Sequence, residues 1–205
     1  MSKPPTPARR APDPILEPSS IAGWAAWLRT HHAGSSGVWL RIPKGAGRKI
    51  TYSAALDAAL CWGWIDSQKR ALDEEAWLQR FTPRAAKSPW SKINRARAEA
   101  LMAAEKMEPP GAAEVARAKR DGRWERAYDG SRTATIPSDL AAALAQDPRA
   151  EAFFRALDGA NRYAILYRVQ TAKRPETRAE RIARFVGMCA RHELIHPRRG
   201  GSRRG

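Results

Sequence analysis

At 205 residues with 43% hydrophobic content, the chain is long enough for one large domain or two small ones, with apolar material for a core. No run approaches the roughly 20 apolar residues of a membrane span, and the Pro-rich start lacks the apolar core of a signal peptide, so a cytoplasmic protein is expected. Of the net charge of +16, the ends supply +1 (Lys3, Arg9 and Arg10 against Asp13 and Glu17) and +4 (five Arg against Glu193 in residues 191–205), leaving +11 on residues 21–190.

That excess favours nucleic acid, anionic lipid or an acidic partner, without choosing among them. Eight Trp stand beside only four Phe and four Tyr, which makes bulky core anchors or a stacking surface. Cys61 and Cys189 sit in apolar helical patterns, far from any metal-ligand spacing, and read as buried free thiols.

Residues 1–18 are expected to form a loose tail. Ser19 or Ser20 caps a first helix whose inner face carries Ile21, Trp24, Trp27 and Leu28. Val38, Leu40 and Ile42 alternate as a strand that Pro43 stops, and residues 44–49 turn. Thr51 caps a second helix with Leu56, Ala59 and Leu60 inside, ended by Gly63 as a left-handed terminator. An extended run from Trp64, a charged turn at 73–75 and a strand over 76–82 complete an α-β-α-β-β unit. Ser88 and Pro89 are expected to open the next helix, with Ile93, Ala96, Ala100, Leu101 and Ala104 as its apolar stripe.

Residues 107–111 break that helix, and 112–120 form a short one. After Pro137 the pattern is helical throughout: 138–145, 149–157, 161–172 and 175–190, the last with Ile182, Phe185, Val186 and Cys189 on one face. The fold class predicted is α+β: a small antiparallel sheet packed on helices over 19–86, followed by a mostly helical half over 87–190, with a basic tail at 191–205.

Three segments carry a resemblance. They are Leu60-Cys61-Trp62-Gly63-Trp64-Ile65-Asp66; Arg80-Phe81-Thr82-Pro83-Arg84 with Ser88, Trp90, Ser91 and Asn94; and Ala172-Lys173-Arg174-Pro175-Glu176-Thr177-Arg178 with Arg181 and Ile182. This set resembles the YdeI/OmpD-associated, bacteriocin-protection family over roughly residues 20–190. Met107-Glu108-Pro109-Pro110-Gly111 resembles that family's Met-x-Pro-Ala-Gly turn, with Pro110 in place of Ala. The resemblance implies tolerance of antimicrobial peptides and attaches no reaction and no cofactor.

The residues themselves offer two candidate sites. In the first, Asp66 meets Arg80 or Arg84 across the sheet, beside a helix start. Trp62, Trp64, Asp66, Arg80, Thr82, Arg84, Ser88, Trp90 and Asn94 then line an anion pocket, or else merely fasten the two halves of the chain. The second is a cationic stripe of Lys173, Arg174, Arg178 and Arg181 on the last helix, able to hold phosphates unless Glu176 and Glu180 neutralise it. No catalytic motif, cofactor or metal site is expected. The reading is a non-catalytic binding or stress-tolerance protein for a small anion or acidic partner. The alternatives are a nucleic-acid-binding accessory protein, or an enzyme acting on an anionic small molecule at Asp66, Arg84 and Ser88.

Overall fold

Ser20 and Thr51 each turn a side-chain oxygen onto the third following N–H, Gly23 and Ala54 respectively, and each starts a helix. The computed structural model describes residues 12–45 and 48–197. Contacts divide the chain into two units: residues up to Ser88 with Ala96–Gly122, and Pro89–Arg95 with the residues from Arg123 onward. The expected boundary at 86/87 therefore gives way to an interleaved one.

The first unit holds strand β1 (Ile15–Leu16), helix α1 (Ile21–His31), strand β2 (Val38–Pro43), helix α2 (Tyr52–Cys61), and strands β3 (Trp64–Ala71) and β4 (Ala76–Pro83). The strands lie in the order β1-β2-β4-β3. The β2–β4 and β3–β4 pairs are antiparallel, as expected, whereas β1 adds a parallel pair. The tail expected over residues 1–18 is thus corrected for its second part. Ile15 and Leu16 pair with Trp39 and Leu40, a two-residue strand too short to show a period. Residues 1–11 lie outside the described part, as do Ala46 and Gly47 within the expected turn.

Indoles hold this unit together. Trp24 is fully buried, donates its N–H to the Ala55 carbonyl at 3.0 Å and stacks on Trp27 with centroids 5.4 Å apart. Trp64 meets Trp27 edge-on and donates to the His32 carbonyl at 3.2 Å. Each buried ring so gains area and satisfies its one polar atom. Helix α3 (Lys92–Ala103) begins later than expected, because Ser91 rather than Ser88 caps it, accepting from the Asn94 N–H at 3.1 Å. Its expected apolar stripe is also wrong: Ile93 is 51% exposed, and the buried position is Ala98.

Helix α4 (Pro109–Arg120) starts inside the expected breaker. Gly111 lies so close to the end of α2 that a Cβ would fall 2.2 Å from the Cys61 carbonyl oxygen, which also accepts the Glu108 N–H. Gly63 takes φ +73, the terminator role its position predicted.

The second unit carries helices α5 (Ser138–Ala145), α6 (Pro148–Arg155), α7 (Gly159–Gln170) and α8 (Pro175–Ala190). Its core joins Leu140, Leu144, Phe154, Ile165, Leu166 and Val169 to Ile182, Phe185 and Cys189, the face predicted for the last helix. The expected basic tail is corrected over 191–197: the Asn161 amide takes both the N–H and the carbonyl of His196, at 2.8 and 3.1 Å. Residues 198–205 lie outside the described part. The molecule is α+β, as its sequence predicts, and no helix among the described residues is long and apolar enough to cross a membrane.

Candidate functional site

Strand register decides what Asp66 meets. Side chains alternate along a strand, and directly opposed residues share a face. Asp66 lies opposite Phe81, so Arg80, one step along, points to the other face. The expected Asp66–Arg80 or Asp66–Arg84 pair is therefore corrected. Asp66 Oδ2 accepts the Tyr52 hydroxyl at 2.7 Å, and Arg80 forks onto Asp13, with Nε at 2.6 Å. Beside Tyr52, Arg97 of α3 donates to Ser53 and Asp57, at 3.0 and 2.7 Å. Burial, followed by the hydrogen bond to Asp66, pushes the Tyr52 hydroxyl well above its ordinary pKa, so it serves as a donor and not as a base.

The remaining residues of the first candidate are placed as follows. Trp62 tilts against the His32 ring at 4.7 Å, and Trp64 is buried with Trp27, so both indoles join α1 to the end of α2. Thr82 is half-buried opposite Ile65. Arg84 is buried, and its N–H donates to the Gly63 carbonyl at 3.0 Å. Ser88 is half-buried, with its N–H on the Ala85 carbonyl. Trp90 and Asn94 fall in the second unit, where Trp90 meets Trp124 edge-on at 4.9 Å. In the first unit a hollow of about 540 Å³ is lined instead by Asp13, Thr30 and His31. Burial lifts the Cys61 thiol to about 11, which keeps it protonated near neutrality and unsuited to attack.

The cationic stripe is half consumed by the fold. The last carbonyls of a helix lack partners within it and carry partial negative charge. At the end of α7, Arg181 donates to the Arg168 carbonyl and Arg178 to the Val169 carbonyl, the latter at 2.9 Å. Arg178 also grips Asp139 of α5 with two donors, at 2.6 and 2.9 Å, and so holds that carboxyl below the usual carboxylate range. The expected neutralisers Glu176 and Glu180 are bypassed. Lys173 and Arg174 remain exposed.

A site that sequence reasoning missed lies on α7. Ala160, Tyr163, Ala164, Tyr167 and Arg168, with His196, line a hollow of about 350 Å³. Tyr163 donates to the Asp129 carbonyl at 3.0 Å, and Tyr128 meets Tyr167 edge-on at 4.9 Å. Lys92 pairs with the Asp129 carboxylate at 2.8 Å, and the Asp129 N–H donates to Gln170 at 2.9 Å. The i, i+3, i+4, i+7 spacing of 160, 163, 164 and 167 was a legible signal of one shared face.

Two family models match the chain. Residues 16–114 match a domain of unknown function (DUF8412), and residues 133–192 match the family described as bacteriocin-protection, YdeI or OmpD-associated. The segment 172–182 lies inside the second match; 60–66, 80–94 and 107–111 lie inside the first. No curated protein and no solved structure matches the chain.

Proposed function

We propose that the chain is a non-catalytic cytoplasmic binding protein that serves stress tolerance, and that its ligand or partner is acidic; what supports this is that residues 133–192 match the family described as bacteriocin-protection, YdeI or OmpD-associated. The observation that carries this reading is the charge of +16, with +11 of it on residues 21–190. Such a field draws anionic groups toward the protein and repels a cationic antimicrobial peptide, so protection through an acidic partner fits better than direct capture of the peptide. The Cys61 thiol and the Tyr52 hydroxyl, both held protonated by burial, are not nucleophiles near neutrality.

The test is survival. Cells lacking the protein are challenged with bacteriocin and then complemented with the wild-type chain. Greater sensitivity on loss, restored by the wild type, is expected; a deletion strain as resistant as its parent overturns the reading. The nucleic-acid alternative loses ground, since Arg178 and Arg181 are engaged at the end of α7.

A further inference from the structure

The hollow on α7 has the parts of a prepared site. Its floor is the two methyl groups of Ala160 and Ala164, low enough for a flat group to lie against the helix. Its walls are phenol rings of set orientation: the Tyr163 hydroxyl is anchored on the Asp129 carbonyl, Tyr128 buttresses Tyr167, and the two wall centroids are 6.0 Å apart. Its rim carries two nitrogen-rich side chains. Arg168 is steadied by Nη1 donating to the Ala164 carbonyl at 2.9 Å, which engages one of the guanidinium's five donors. The backbone of His196 is held by the amide of Asn161, itself only 2% exposed. Small-ligand pockets share this plan of mostly apolar lining, a few placed polar groups and a volume of about 300–1,000 Å³.

From this arrangement we infer that the α7 hollow binds a planar aromatic ring carrying a single anionic group, the chemistry of a nucleoside monophosphate. The two tyrosine planes are tilted 45° to each other, so the ring lies face-on against one of them with the edge of the other beside it, and the anion takes the free guanidinium donors of Arg168 at the rim beside His196. The carboxylate of Asp129, whose carbonyl anchors Tyr163, is paired with Lys92 at 2.8 Å. Burial lifts the Tyr163 hydroxyl to about 12, so that wall stays neutral across the ordinary pH range. The inference deepens the proposed function and rests on its acidic-ligand reading.

The experiment titrates the full chain with AMP, adenosine and inorganic phosphate in separate arms at physiological salt, read by calorimetry. AMP is expected to bind saturably. Arg168→Ala should weaken AMP about tenfold, the worth of one charge-assisted hydrogen bond, and leave adenosine unchanged. Ala160 is exposed, so Ala160→Trp should keep the melting temperature while blocking the hollow and abolishing AMP binding. Three results overturn the site: no saturable AMP binding at millimolar concentration, AMP binding that both variants leave intact, or phosphate alone binding as well as AMP. No saturable AMP binding, with protection from bacteriocin that the wild-type chain restores, would overturn the site and spare the wider function. Saturable AMP binding that both variants weaken, in a wild-type chain that fails to restore protection, would do the reverse.

Discussion

At Gly111 even a methyl group has no room, because the atom it would strike is a backbone oxygen that cannot rotate away. Gly111→Ala should therefore force α4 off the end of α2 and cost about 1–3 kcal/mol, the usual range for overpacking. Urea unfolding checks this, and an unchanged midpoint would refute it. Asp139 makes a separate prediction at low pH. Its folded pKa lies below its unfolded one, with the Arg178 hydrogen bonds as the first cause. The stabilisation is therefore complete above the unfolded carboxylate value of about 4 and is lost as pH falls through the depressed folded value. The pair is partly exposed, so the effect stays within about 1 kcal/mol. Melting temperature followed from pH 6 to pH 2 should fall less steeply for Asp139→Asn than for the wild type.

Helices α2 and α4 form one packed piece despite the residues between them, since the Glu108 N–H and Gly111 both sit on the Cys61 carbonyl. A fragment of residues 12–122 should melt cooperatively, whereas 12–86, which lacks α4, should not; circular dichroism melts of the two decide it. The sequence made α2 legible because Thr51 and Gly63 mark its ends by local chemistry that any chain would need there. It could not reveal the partner of Asp66. Alternation correctly puts Trp64 and Asp66 on one side and Arg80 and Thr82 on one side, but the register that opposes Asp66 to Phe81 is a long-range fact. The same limit hid β1, whose two residues pair only because β2 offers an edge. The stripe on α8 was visible as spacing. What it touches depends on where the end of α7 lies, which no local pattern encodes.

Across the whole molecule, each of the two units has its own core: an indole-centred one under the sheet in the first, and an aliphatic and phenyl one among α5 to α8 in the second. The segment resembling a family signature at 172–182 thus has a structural duty, closing the end of α7. That duty changes how the formal charge is to be counted. Arg178 and Arg181 already stand on protein oxygens, and Arg80 on Asp13. Fewer of the formal cations are therefore left to neutralise phosphates and expel the counter-ions condensed on a polyanion, so the logarithmic salt slope of any such complex should come out shallower than a tally of all its lysines and arginines would suggest.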